Sequence, residues 1–215
     1  MFHNRRNIIV LLYCVSTAAL LFGGYLFAVQ TWRNQLQAVD KDLFKAIVAL
    51  KNRIPEEYFD RAVTPDAVSQ KEYAANSHIL DSINYRYDIA WLYSMVEVEG
   101  KFYHTNSNGT ASEEQRVPYF TEYTDDWKSL RLTSRDGKTR YDSEIDSYGE
   151  MRSCVRRFTT AKGQHYLVGA DIPLEKVRFL SWSYLETFLP CTAGQQIFTA
   201  ITISILIILS VGTIK

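Results

Sequence analysis

Little in this chain suits a catalyst or a metal protein. It has three cysteines in 215 residues, none in CxxC spacing, so neither a metal site nor a disulfide framework is expected. Cys14 sits in an apolar run, Cys154 in an expected strand and Cys191 before a second apolar run. A Cys154–Cys191 bridge needs an oxidising compartment, and a strand-centre cysteine more often serves as a small buried apolar residue. Of the four histidines, His3 is near the N-terminus, and His78, His104 and His165 lack HExxH or His–carboxylate spacing. GxSxG, P-loop and GxGxxG motifs are absent. Glu56-Glu57, Glu113-Glu114 and Asp125-Asp126 are adjacent in sequence, so neither member of a pair need face a common site, and polar surface accounts for them. The expectation is no catalysis, no cofactor and no metal. An excess of positive charge is also missing. Lys plus Arg and Asp plus Glu both number 24, and all the acidic residues lie within residues 30–196, while Arg5, Arg6 and Lys215 lie outside it. The middle is slightly acidic, which excludes nucleic acid as a partner.

What the chain does have is apolar length. Ile8 to Val29 carries no charge and can cross a ~30 Å hydrocarbon core. A cleaved secretory signal is the competing interpretation, but the run exceeds the usual ~7–15 residues and no small-x-small site follows. Ile197 to Ile214 is a second uncharged run. Arg5 and Arg6 before the first and Lys215 after the second are flanks of the cytoplasmic kind. The expected domains are a cytoplasmic tail (1–7), a first transmembrane helix (8–29), an extracytoplasmic domain (30–190) and a second transmembrane helix (197–214). Both termini would be cytoplasmic.

Between the spans, Trp32, Leu36, Val39, Leu43, Ile47, Leu50 and Ile54 recur at steps of three and four, an apolar stripe on one helix ended by Pro55. The stripe suits packing on its own domain, and its membrane-proximal part (Trp32–Leu43) suits a parallel homodimer seam. Thr64-Pro65 reads as the start of a second helix reaching Asn84, with Val68, Ala75, Ile79 and Ile83 as its buried residues. From Ile89 the period changes to two and both faces are apolar, as in a central strand. Glu99-Gly100 turns the chain into a return strand, Lys101–Thr105. Asn106–Arg116 is polar loop, in which Asn108-Gly109-Thr110 matches a glycosylation sequon but fits an Asn-Gly turn better. Val117–Tyr148 reads as loops, a short helix around Asp126–Leu130, a turn at Arg135–Lys138 and an edge strand. Met151–Phe158 and Gln164–Ala170 form a hairpin about Ala161-Lys162-Gly163. Asp171-Ile172-Pro173 has the form of a helix start, with Asp171 as cap, and Leu174–Leu189 follows as a helix.

Certain stretches carry a family likeness: Asp88–Val96 followed by Gly100–Tyr103, then Tyr148–Ser153, and Gly163–Ile172. With the layout from Trp32 to Leu189, they resemble the Cache family, PAS-like extracytoplasmic sensor domains of bacterial receptors such as chemoreceptors and membrane-bound diguanylate cyclases. The resemblance implies an α+β fold, a PAS-like five-stranded antiparallel sheet backed by a long N-terminal helix and flanked by two transmembrane helices. It further implies a two-pass protein of the bacterial inner membrane, with the sensor domain periplasmic and a small ligand on the free face of the sheet. Family receptors continue into a HAMP linker and a signalling module where this chain stops, so a fragment or a chain acting through a cytoplasmic partner is expected.

On that basis Trp91 and Tyr93 on one strand face, Arg152 and Arg156 on another, and Tyr119, Tyr123 and Asp126 on the roofing loop are the candidate ligand contacts. Aromatic walls and a guanidinium fork suit a small carboxylate-bearing molecule. Aromatics in a strand also serve as core, and the arginines could instead pair with Glu144 or Asp146. A membrane-anchored assembly partner without a ligand is the alternative function.

Overall fold

The structure is a computed structural model that describes residues 2–108, 116–146 and 149–177. The second apolar run, Cys191 and most of the expected 174–189 helix lie outside the described residues. Helix α1 runs Phe2–Arg53. Its first part leaves Val10, Leu11, Leu12, Leu21 and Phe22 exposed, and among the described residues it is the one helix long and apolar enough to cross a membrane.

Gln37–Val177 is a compact unit of its own. Within it Leu43, Ala46, Ile47, Leu50 and Ile54 are 0–1% exposed, so the stripe seen in the sequence becomes core, each large side chain contributing about 1.5–3 kcal/mol on burial. Leu43 therefore belongs to the core and leaves any dimer seam to Trp32, Leu36 and Val39. After Pro55 come α2 (Glu56–Arg61) and α3 (Gln70–Tyr87). Thr64-Pro65 does not start the second helix. Ser69 does, its hydroxyl accepting from the Glu72 amide at 3.2 Å, the Ser-x-x-Glu pattern of a capping box. The buried face of α3 is Tyr73, Asn76, Ser77, Leu80, Ile83 and Asn84; its polar members hid it from hydrophobic periodicity, and Ala75 is exposed.

The sheet has six antiparallel strands: β1 (Trp91–Val98), β2 (Lys101–Ser107), the two-residue β3 (Glu122–Tyr123), β4 (Arg140–Asp146), β5 (Gly149–Thr159) and β6 (His165–Pro173). Their order is β3-β2-β1-β6-β5-β4. The architecture is the expected α+β, PAS-like one, with a sixth short edge strand. Glu99 and Gly100 both have positive φ (53° and 80°), the geometry of a two-residue hairpin whose twist matches its strands. Helix α4 (Lys128–Asp136) runs longer than expected, and the Arg135–Lys138 turn is its C-terminus, closed by Gly137 at φ 73°. Asn108 is no surface sequon. It is 2% exposed; its Oδ1 accepts from the Leu92 amide at 2.8 Å, and its Nδ2 donates to the Ala90 carbonyl at 3.0 Å, pinning the end of β2 to the start of β1.

Candidate ligand-binding site

Pairing of β1, β6 and β5 decides what each sheet face carries. Trp91 stands opposite Asp171 and Asp171 opposite Ser153; Tyr93 stands opposite Gly169 and Gly169 opposite Val155. Residues opposite each other in a sheet point to the same side, so Trp91, Asp171 and Ser153 make one row. Tyr93 fills the next, because a side chain at Gly169 would fall on the Tyr93 ring. A bulge at Ser94/Met95 leaves Thr105 without a partner in β1. It thereby brings His104 and Ser107, three residues apart, to one face.

These rows floor a cavity of about 470 Å³. Trp91, Tyr93, Met95, His104 and Ser107 line it from β1 and β2, Met151, Ser153 and Asp171 from β5 and β6, and the segment Thr121–Trp127 from above. Of its lining residues, Tyr93, Met95 and Trp127 belong to a buried apolar cluster with Phe102, Leu130, Val155 and Leu167, against which Trp91 and Tyr123 pack. The Tyr93 hydroxyl donates to Asp171 Oδ1 at 3.4 Å. The His104 ring meets Tyr93 and Tyr123 edge-on, with centroids 5.8 and 5.9 Å apart. Burial lowers its pKa from 6.5 to about 4, so the imidazole is neutral near pH 7. Its Nδ1 and the Trp127 Nε1 are buried without a hydrogen-bond partner among the described residues. Among the described lining residues are four carboxylates, Glu122, Asp125, Asp126 and Asp171, and no Lys or Arg. No group of three or more His, Cys, Asp or Glu that could hold a metal ion occurs among the described residues.

Of the seven expected contacts, Trp91, Tyr93, Tyr123 and Asp126 line the cavity. Tyr119 does not. The chain turns at Phe120, whose φ is 60°, and Phe120 stacks on Tyr103 at 4.5 Å. Tyr119 is thereby sent against Tyr73 at 6.0 Å, where its hydroxyl donates to the Thr64 carbonyl at 2.8 Å. Nor do Arg152 and Arg156 line it. Met151 and Ser153 take the cavity face of β5, so the even-numbered residues point at α1. Arg152 donates through Nε and Nη2 to Asp40 at 2.8 and 2.7 Å, a two-pronged ion pair. The Arg156 guanidinium lies over Phe44 and Phe158, 5.3 and 5.2 Å from the ring centroids. Cys154, on that same face, is fully buried, and burial pushes its thiol up to about 12. Among the described residues, a carboxylate ligand thus has no arginine fork to meet in the cavity.

Asp171 is the residue most misjudged from sequence. It lies in β6 rather than at a helix start, and the helical residues begin at Leu174. Continuing the Trp91–Tyr93 alternation reaches Met95; His104, Ser107, Trp127, Met151, Ser153 and Asp171 emerge only from register and the bulge.

No family model matches the chain, and no curated protein sequence matches it. Among solved structures, it is similar to the E. coli DcuS sensor domain, with 13% identity, a TM-score of 0.46, and coverage of 66% of this chain and 96% of that one. It is also similar to the sensory domain of the Campylobacter jejuni chemoreceptor Tlp3, at 10% identity and a TM-score of 0.46, covering 76% of this chain and 66% of that one. A complex of that ligand-binding domain with L-valine gives 10% identity and 0.44, covering 76% and 65%.

Proposed function

We propose that this chain is the extracytoplasmic ligand-sensing and transmembrane signalling region of a bacterial receptor of chemoreceptor or diguanylate cyclase type. A small organic molecule binds in the cavity, and the change is relayed through the second apolar run to a cytoplasmic signalling module or partner. The observation that carries this reading is the cavity itself. It has the size of a small-molecule site, a floor of aromatic rings, and buried ring nitrogens on Trp127 and His104 that nothing among the described residues satisfies. Buried polar atoms in a native fold are ordinarily matched, and a polar ligand would match these. Binding shifts the protein only by its differential affinity for two arrangements. Asp171 and Ser153 place part of the site on the final hairpin, where such a difference can arise.

The test is fluorescence titration of the full chain in detergent with a small-molecule panel, repeated on Tyr93→Ala. At least one compound should bind the unmodified chain and fail on the variant. If no compound depends on Tyr93, the sensor reading falls and an assembly partner without a ligand takes its place.

The proposed membrane arrangement follows the sequence: residues 1–7 cytoplasmic, 8–29 and 197–214 spanning, 30–190 periplasmic, with a parallel homodimer along Trp32, Leu36 and Val39. Reporter fusions at Asn108 and after Lys215 should report opposite sides of the inner membrane. The same side for both would sink this topology.

A further inference from the structure

We propose that Lys176 latches the exit segment, the helical residues that begin at Leu174, to the C-terminus of α3, and that α3 carries changes at the cavity to that latch. This deepens the relay proposed above and rests on reading the cavity as the sensing site. The latch itself is testable without a ligand, so it can fail while the sensor reading stands.

The exit segment has two attachments. One is covalent, since β6 ends at Pro173 and the helical residues follow directly. The other is Lys176, on the path toward the second apolar run. Its Nζ donates to the Asp88 carbonyl at 3.0 Å and pairs with the Asp88 carboxylate at 2.5 Å. Asp88 is the C-cap of α3, in the left-handed region at φ 53°. A helix C-terminus presents carbonyls without intrahelical partners and a partial negative charge, and an ammonium group answers both. The two side chains of the pair are 42% and 83% exposed, so water competes for them and the bond is weak. A weak bond suits a contact that has to open or be re-aimed.

The other end of α3 touches the cavity. Near the start of the helix the Tyr73 hydroxyl donates to the carbonyl of Val117, a lining residue. The Tyr73 ring also meets Tyr119 at 6.0 Å. Tyr73 and Asp88 stand about 22 Å apart along one unbroken helix. Such a helix passes a small shift from end to end as a rigid body. β6 has less freedom, because β1 and β5 bond it on both sides and the Ala90 amide donates to the Asp171 carbonyl at 3.0 Å. At that corner α3 is joined through side chains, Asn84 to the Ala90 carbonyl at 2.8 Å and Asp88 to Lys176. The strand supplies the pivot of the exit segment, and the latch supplies its lever.

The test is pulsed electron spin resonance on the full chain in detergent micelles, reading the distance between nitroxides on Ala161→Cys and Glu175→Cys, two exposed positions. Cys14 and Cys191 are replaced by serine, Cys154 is buried and stays unlabelled, and unlabelled chain is added in excess so that only distances within one chain are read. Lys176→Met should broaden the distance distribution at least twofold. Tyr73→Phe keeps the ring and removes the bond to Val117, and it should move the mean by about 2 Å. In the double variant that shift should vanish. A Tyr73→Phe shift of equal size with and without Lys176 would overturn the latch and assign the relay to β6. No shift from Tyr73→Phe would overturn α3 as the carrier, and an unchanged width in Lys176→Met would overturn the latch itself. Should Tyr73→Phe fold poorly, Tyr119→Ala withdraws the ring against which Tyr73 leans and takes its place, with the same outcomes.

Discussion

The two faces of the sheet treat charge in opposite ways. On the face toward α1, Arg152 is locked to Asp40 and Arg156 is spread over two phenyl rings, so each cation is answered inside the chain. On the cavity face, carboxylates gather among aromatic rings with no cation in the described lining. The first arrangement holds the helix to the sheet. The second lines the cavity. One strand, β5, serves both through its alternation: Arg152 and Cys154 on one side, Met151 and Ser153 on the other.

The sharpest way to break this comparison is Arg152→Ala. The two side chains of its ion pair are only 15% and 20% exposed, so removing one leaves a largely buried carboxylate, at a cost of about 3 kcal/mol. Thermal unfolding of the full chain should shift down markedly, while ligand affinity of the folded protein stays within about twofold. Unchanged stability with lost binding would return Arg152 to the site.

Gly169→Ala probes the cavity face with a single methyl group. Its β-carbon would displace the Tyr93 ring, and overpacking of this kind costs about 2 kcal/mol. Binding should fall more than tenfold, and a crystal structure should show Tyr93 swung out of its row. Binding that survives would mean that Tyr93 forms no essential part of the wall.

A smaller effect follows from His104. Its pKa is about 4 when folded against an ordinary 6.5, so between those values the unfolded chain takes up a proton that the folded chain refuses. The stability this group contributes is complete above about pH 6.5 and declines as pH falls toward 4, by about 1 kcal/mol between pH 7 and 5.5. Denaturant titrations at the two pH values should show it, and His104→Gln should remove that share of the pH dependence. An equal dependence in the variant would place the proton uptake elsewhere.

Ile145→Ala is expected to do least. The side chain is 82% exposed although it borders the cavity, so stability should move by less than about 0.5 kcal/mol and affinity by no more than a few-fold. A larger loss of affinity would make Ile145 a wall of the site instead of its margin.

The sequence disclosed the hairpins because Glu99-Gly100 and Ala161-Lys162-Gly163 interrupt runs of period two, and it disclosed the first helix because its stripe is unbroken. The start of α3 was obscured by a decoy: Thr64-Pro65 has the form of a cap, yet Ser69 and Glu72 provide the bond. Asp171 was obscured similarly, since the following Pro173 suggests a first turn while the strand continues through it. In the site, the aromatic side was legible, because Trp91 and Tyr93 lie on one strand and share a face by spacing alone. Which face of β5 joins them depends on strand pairing, and nothing local encodes that. The position of Tyr119 hinges on the left-handed backbone at Phe120, a residue with no compositional mark for it.

The unmatched Thr105 in β2 has a bearing on how the gene can change length. In a regular strand, losing one codon turns every following side chain over, so deleting Leu92 or Val96 should turn part of β1 inside out. Thr105 is different: with it gone, His104, Asn106 and Ser107 fall into simple alternation and keep the sides they already occupy. Its loss removes the hydroxyl contact to Ser94 and the carbonyl that accepts from Tyr58, yet spares the cavity lining. A deletion scan through the first hairpin should therefore find one tolerated gap among intolerant neighbours, at the position where the strand holds one residue more than its partner.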